Sequence, residues 1–182
     1  MTRCSNADCK AADWLAKWPW SWLPTQDPVG VDVWNKYCNN VAFMINAVTR
    51  LNDAFGRAPL EMRQNELLAM AALKSKKSNA QLISPVLWNK PSFVLKAAAT
   101  LRHTYLTKYL GPTVRDDPAT MLCLIKTDSQ YFDAATSKTD FEFQCLAVST
   151  NPHVLCKLDK LTQANVAERN CNLALGQAGF KH

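Results

Sequence analysis

The sequence is poor in glycine and histidine, and it lacks the compact motifs that mark common enzyme sites. Only five of its 182 residues are glycine, too few for backbone loops that enclose phosphate groups, and only three are histidine. The phosphate loop, the dinucleotide-binding glycine fingerprint, the zinc-protease His-Glu-x-x-His motif and the Gly-x-Ser-x-Gly elbow are all absent. We therefore predict no catalytic residues and no cofactor, and expect that the protein is not an enzyme.

The cysteines lack the spacing of a zinc finger or of a disulfide framework. They stand at positions 4, 9, 38, 123, 145, 156 and 171, an odd number with no Cys-x-x-Cys pair. Cys4 with Cys9, or His153 with Cys156, offers two metal ligands, but no set of four is complete. The pattern favours free thiols in a reducing intracellular compartment and no metal site, and a cysteine- or metal-dependent enzyme is the weakest alternative.

The chain also lacks targeting and membrane-spanning signals. No basic segment precedes an apolar core at the N-terminus, and no run of about 18 apolar residues occurs. The hydrophobic content of 48% and charged content of 20% are typical of a folded protein, and the length predicts one core domain. The net charge of +6 suits an anionic partner without requiring one.

Tryptophan is concentrated at the start of the chain, before Pro24. Pro19 and Pro24 prevent a long helix there, so we predict a tryptophan-rich arm over residues 1–24 and a helical core domain with a C-terminal helix over 25–182. The tryptophans of the arm have three possible roles: covering the domain's own core, contacting a neighbouring subunit, or lying on a membrane surface. They are Trp14, Trp18, Trp20 and Trp22.

The spacing of apolar residues predicts a mainly α-helical fold with one or two short strands. In 31–55 apolar residues recur every three or four positions, which predicts one long amphipathic helix. Alternation of Phe141, Phe143 and Cys145 with polar residues predicts a strand, and 81–91 reads as a short strand or an extended crossing segment. No internal repeat is visible. Further helices are predicted over 59–74, 93–110 and 155–175, the last burying Leu161, Ala164, Ala167 and Cys171.

The helix predicted over 93–110 is the best candidate for contact with a polyanion. Its formal charges, among them Lys96 and Arg102, are all positive, and His103 lies on the same polar side. Arg115 follows in a turn beside two aspartates. An ordinary solvated helix face is an equal alternative for this charge pattern.

Three groups of residues occur in an order and spacing found in one family of proteins. The first is Trp34-Asn35-Lys36-Tyr37 with Asn40, which follows the tryptophan-rich leader. The second is Ser84-Pro85 followed by Pro91 and Phe93, and the third runs from Leu124-Ile125 through Thr136 and Lys138-Thr139 to Phe141-Glu142. These groups resemble the coat proteins of rod-shaped plant RNA viruses of the virgavirus family, the hordeivirus kind most of all.

The resemblance implies an antiparallel helix bundle that associates with copies of itself around single-stranded RNA, in a virion. The candidate RNA contacts are Arg102, Arg115, Lys96 and His103, and the four tryptophans of the arm are the candidate subunit contacts. The chain departs from the family between Leu110 and Leu124, where only Arg115 and two aspartates carry charge, and in its extra helix beyond Phe143. The alternative is a non-catalytic accessory subunit of a large organellar or membrane-associated complex, with a membrane surface as the less favoured partner.

Overall fold

The computed structural model describes residues 28–51, 53–101 and 104–177, and these residues are almost entirely helical. The prediction of a mainly α-helical fold is confirmed. The arm over residues 1–24 lies outside the described residues. The α-helices are α1 Pro28–Tyr37, α2 Val41–Arg50, α3 Ala54–Arg57, α4 Glu66–Ser75, α5 Pro85–Trp88, α6 Pro91–Leu101, α7 Pro112–Arg115, α8 Pro118–Thr127, α9 Phe141–Thr150 and α10 Lys160–Gln177. The 3₁₀ helices are η1 Met62–Gln64, η2 Lys77–Leu82, η3 Thr104–Tyr109, η4 Ser129–Ala134, η5 Thr136–Thr139 and η6 Pro152–Lys157.

The prediction of short strands is wrong, since no strand occurs in the described ranges. The residues read as a strand form the start of α9, where the Asp140 side chain accepts a hydrogen bond from the Phe143 backbone N–H at 2.9 Å. Helix α9 packs between α8 and α10, so it buries Phe143 on one side and Cys145 on the opposite side. A helix buried on two faces places apolar residues two apart, which imitates the alternation of a strand. The segment 81–91 contains the end of η2 and α5.

Two of the long helices predicted from periodicity are broken into shorter ones. The segment 31–55 is divided at Asn40, whose side-chain oxygen accepts from the Phe43 backbone N–H at 2.9 Å and begins α2. Leu51 then leaves the helical conformation, with a ψ of 115°. The helix over 93–110 likewise ends at Leu101 and is followed by η3. The break at Asn40 occurs where an asparagine side chain can accept from a backbone N–H at the start of the next helix.

Helices of ten or eleven residues recur along the chain, each with a similar start. The Asn65 side chain caps α4 by accepting from two backbone N–H groups, and Asp117 and Asp140 cap α8 and α9 by accepting from one each. Helices α4, α8 and α9 are each followed, after one residue of other conformation, by a six-residue 3₁₀ helix. The sequence shows no internal repeat, because the recurring unit is defined by cap spacing and burial rather than by residue identity.

The described residues up to Leu87 form a first compact unit. Helix α2 packs against α4. The Arg63 side chain binds the backbone at the end of α3. The Arg63 guanidinium donates from Nε to the Ala58 carbonyl and from Nη2 to the Gly56 carbonyl, both at 2.9 Å. The core of this unit is apolar and fully buried; it includes Met44, Val48, Phe55, Leu68 and Leu73.

The residues from Trp88 onward form a second compact unit. Its long helices pack in chain order, α6 against α8, α8 against α9 and α9 against α10. The 3₁₀ helix η4 packs against α8 and supplies two buried rings to the core. The largest buried side chains of this unit are Phe93, Leu106, Met121, Leu124, Ile125 and Tyr131.

The turn between η3 and α7 is fixed by contacts with the residues that precede α6. The Gly111 backbone N–H donates to the Trp88 carbonyl at 2.9 Å, and the Trp88 and Tyr109 rings stack with centroids 5.5 Å apart. A Cβ at position 111 would overlap the Asn89 side chain, so this close approach requires glycine. These contacts set the direction in which α7 presents Arg115.

Helix α10 does not bury the side that the apolar spacing predicts. Leu161 is 73% exposed, and Ala164, Ala167 and Cys171 are also exposed, so the buried face predicted from periodicity is wrong. The side toward α9 holds the buried Val166 together with polar side chains that form specific bonds. Asn170 donates to the Cys145 carbonyl at 3.3 Å, and Arg169 pairs with Glu142 at 2.6 Å. Hydrogen bonding therefore decides which side of this helix faces the unit.

Candidate functional site: a cationic cleft at Arg115

Of the two predicted polyanion contacts that the structure describes, Arg115 lines a cleft and Lys96 does not. Arg102, His103 and the four tryptophans of the arm fall outside the described residues. Lys96 is exposed on α6, where its carbonyl accepts from the Thr100 hydroxyl at 2.8 Å, and it does not line the cleft.

The cleft has a volume of about 260 Å³ and lies within the second unit. Three short helical segments form it: η3, α7 and η4. This is smaller than the roughly 300–1,000 Å³ of typical drug-sized ligand pockets and suits a small group such as a phosphate. Its lining residues are Thr107, Lys108, Arg115, Gln130, Asp133 and Ala134.

The wall formed by η4 is positioned by buried aromatic rings. Asp128 begins η4 by accepting from the Gln130 backbone N–H at 2.9 Å. Tyr131 is 1% exposed and Phe132 stacks on Phe143, with ring centroids 6.1 Å apart. Burial, and secondarily the Asp128 carboxylate, raises the pKa of Tyr131 to about 12, so the ring stays neutral. With these rings turned inward, the exposed Gln130 lies at the cleft.

Within the described residues, the Arg115 guanidinium has one hydrogen bond, so most of its donors have no partner there. Nη2 donates to the Thr107 carbonyl over a long 3.4 Å, and the buried Nε has no hydrogen-bond partner within the described part of the chain. A guanidinium carries five N–H donors in a planar fork that matches carboxylate and phosphate oxygens. The arrangement is therefore suited to receive an oxyanion.

The aspartates that follow Arg115 in sequence are used elsewhere. Asp116 accepts from the Thr136 hydroxyl at 2.6 Å. Asp117 caps α8, accepting from the Ala119 backbone N–H at 3.3 Å and from the Thr120 hydroxyl. Neither forms an ion pair with Arg115. The local excess of carboxylates in the sequence thus does not neutralise the guanidinium.

The carboxylate that does line the cleft already has a cationic partner. Asp133 Oδ2 lies 2.5 Å from Lys157 Nζ, which comes from η6. Lys138 Nζ donates to the Asp133 backbone carbonyl at 3.2 Å. With Lys108 also in the lining, cations outnumber carboxylates around the cleft, which favours anions.

Most of this site is invisible to sequence reasoning. Thr107, Gln130, Asp133 and Lys157 belong to three segments far apart in the chain, and none lies in a recognisable motif. Asp128 was the only local signal, because an aspartate two residues before Gln130 is typical of a capped turn. It indicates where η4 begins but does not indicate which neighbours η4 meets.

Cysteine and metal chemistry have no assembled site within the described ranges. No group of three or more His, Cys, Asp or Glu side chains there is arranged to hold a metal ion. Cys145 is buried, and burial raises the pKa of its thiol. The other described cysteines are unbonded thiols too: Cys38, Cys123, Cys156 and Cys171.

Comparison with known proteins adds no relative. No family model, curated protein or solved structure matches this chain. Among the helices that the structure describes, none is both long and apolar enough to cross a bilayer. What the structure defines is a mainly helical protein whose second unit carries a cationic cleft.

Proposed function

We propose that this chain is a non-catalytic structural protein that associates with copies of itself and packages single-stranded RNA, as a viral coat subunit does. The Arg115 cleft would hold a backbone phosphate, with Lys108 beside it. The observation that carries this proposal is the guanidinium of Arg115, which lines an open cleft with most donors unused and no carboxylate partner in the described residues.

A phosphodiester fits the cleft better than a bulky apolar ligand. Arginine binds phosphate oxygens through two parallel N–H···O bonds, and such charge-assisted bonds are roughly twice as strong as neutral ones. The surrounding side chains are polar rather than apolar, so they offer little for a bulky hydrophobic group. A repeating polyanion also uses the net charge of +6 carried by the whole chain.

Self-association is supported by large apolar side chains on the surface of each unit. Leu60 and Leu67 are 65% and 68% exposed in the first unit. In the second unit Leu146 and Leu161 are 53% and 73% exposed. Covering these side chains in a contact between subunits would remove apolar surface from water. The tryptophans of residues 1–24 remain proposed subunit contacts, and Lys96, Arg102 and His103 remain proposed secondary RNA contacts.

Binding of fluorescently labelled polyuridylate by the purified full-length chain tests the RNA part of the proposal. Arg115→Ala is expected to weaken binding by roughly tenfold and to lower the salt dependence by about one released ion. Arg57→Ala is the matched control, since it removes an exposed guanidinium from the first unit. Equal affinity of wild type and Arg115→Ala would remove Arg115 from the interface.

Electron microscopy and light scattering test the assembly part. A coat-type subunit is expected to form discs or rods whose size responds to pH and ionic strength, and to carry host RNA after purification. The accessory-subunit alternative predicts a protein free of nucleic acid that stays monomeric or aggregates through its tryptophan-rich arm. A monomer that ignores RNA at low salt would overturn the proposal.

A further inference from the structure

We infer that Lys157 regulates anion binding at Arg115 without contacting the anion, by keeping the Asp133 carboxylate away from the guanidinium. This inference rests on the proposed function, because it concerns the same cleft. Without Lys157, the Asp133 carboxylate would compete with phosphate for the N–H donors of Arg115. Lys157 is thus a positioning residue.

The geometry places competitor and guanidinium in one cavity. Asp133 and Arg115 line the same cleft of about 260 Å³, yet the carboxylate pairs with Lys157 Nζ at 2.5 Å and not with Arg115. The Asp133 side chain is 62% exposed, so solvent and not packing surrounds it. Lys138 bonds only the backbone carbonyl of Asp133 and leaves its carboxylate to Lys157.

Arginine would be the stronger competitor for this carboxylate once Lys157 is removed. A guanidinium binds a carboxylate through two parallel bonds, whereas an ammonium acts as a point charge. The unpaired carboxylate would also repel an incoming phosphate across the same cleft. Both effects weaken anion binding, and both require the charge on Asp133.

Loss of Lys157 leaves the fold intact on this reasoning. Ion pairs at exposed positions contribute little to stability, typically below about 1 kcal/mol. Lys157 lies at the end of η6, and the carboxylate it pairs with is mostly in solvent. An effect of Lys157→Ala on anion binding can therefore be distinguished from an effect on folding.

The test compares Lys157→Ala, Asp133→Asn and the double variant in the full-length chain, with labelled polyuridylate as the probe. Lys157→Ala is expected to weaken binding by roughly tenfold, as for loss of Arg115 itself. Asp133→Asn should bind at least as tightly as wild type. In the double variant affinity should return to within about threefold of wild type, because no competitor remains.

A direct phosphate contact by Lys157 predicts a different pattern. In that case Asp133→Asn would not rescue Lys157→Ala, and the double variant would stay weak. Failure of rescue, or an unchanged affinity in Lys157→Ala, overturns the inference while Arg115→Ala still reports on the proposed function. If Arg115→Ala binds like wild type, the proposed function fails instead.

A second measurement tests the inference even if polyuridylate does not bind. The Arg115 Nε–H resonance, followed by NMR in protein labelled with ¹⁵N-arginine, reports a new partner for this guanidinium. Lys157→Ala is expected to shift that resonance, and the shift should vanish in the double variant. An unmoved resonance shows that Asp133 does not turn to Arg115, and the inference is then wrong.

Discussion

Asn151 joins two helices that are distant in sequence, since its Nδ2 donates to the Ile125 carbonyl of α8 at 2.8 Å across 26 residues of chain. Its Oδ1 accepts from the His153 backbone N–H at 3.1 Å and begins η6. One amide side chain therefore uses its donor for packing and its acceptor for a cap. This double use accounts for an asparagine rather than an aspartate at position 151.

Replacing Asn151 by alanine is expected to lower the free energy of unfolding by about 2 kcal/mol, because both bonds are lost. Asn151→Asp keeps the acceptor that caps η6 but sets a carboxylate oxygen against the Ile125 carbonyl, so it should also lower the free energy of unfolding. Urea denaturation followed by circular dichroism measures both variants. An Asn151→Ala protein within about 0.5 kcal/mol of wild type contradicts this role.

Arg63 is expected to stabilise the first unit through its two backbone bonds. Arg63→Ala leaves the carbonyls of Gly56 and Ala58 without these donors and should cost about 1–3 kcal/mol. Arg63→Lys can replace at most one bond and should fall in between. Arg57→Ala is the control, because Arg57 is exposed and such changes usually stay within about 0.5 kcal/mol. Thermal unfolding monitors all three, and equal midpoints would refute the assignment.

The two phenylalanines at the start of α9 distinguish a helix from a strand. Phe143 is 4% exposed and stacks on Phe132, so Phe143→Ala is expected to cost about 3–5 kcal/mol. Phe141 is 38% exposed, and its ring centroid lies 5.7 Å from Arg169 Cζ. Phe141→Ala should therefore lower the free energy of unfolding clearly less. In a strand both rings would share one face and lose similar amounts. Comparable costs for the two variants would therefore argue against α9.

The start of α10 is expected to weaken in acid. Asp159 accepts hydrogen bonds from the Thr162 hydroxyl at 2.6 Å and from two backbone N–H groups, which hold the pKa of its carboxyl below the ordinary value. A lowered folded-state pKa contributes stability that is present above the unfolded pKa and is lost as pH falls through the folded value. The loss therefore begins below about pH 4.

Amide hydrogen exchange of residues 160–166 measures this effect as pH is lowered. Thr162→Ala removes the largest cause of the shift, so the carboxyl should titrate closer to its ordinary pKa and protection should be lost at higher pH. Asp159→Asn should make protection of this segment insensitive to pH in the same range. Unchanged acid sensitivity in Asp159→Asn would show that another group is responsible.

Helical content was predictable from the sequence, but helix limits were not. Three- and four-residue spacing of apolar side chains reports a helix whatever lies beside it. The apolar spacing predicts that Asn40 lies within one long helix, on its polar side. In the structure its side chain caps the start of α2 instead. Phe141 to Cys145 was misread because α9 is covered on two faces, and that depends on neighbours that a local pattern does not contain.

The candidate site divides in the same way. Charge and position in a turn singled out Arg115, which does line the cleft. Asp116 and Asp117 lie beside Arg115 in the sequence, but the structure uses them in hydrogen bonds to Thr136 and within α8. The ion pair of Asp133 with Lys157 arises from the packing of η4 on η6, which no spacing rule reveals.

The side of α10 that faces α9 is largely polar, and this affects how easily α10 separates from the second unit. Val166 is the one fully apolar anchor described there, and side-chain bonds such as Asn170 to Cys145 supply the rest. Over residues 160–171, undocking of this helix would expose little apolar surface to water, and the sensitivity of an opening step to urea scales with the newly exposed area. We therefore expect α10 to open locally with little dependence on denaturant, while the core of the second unit stays folded.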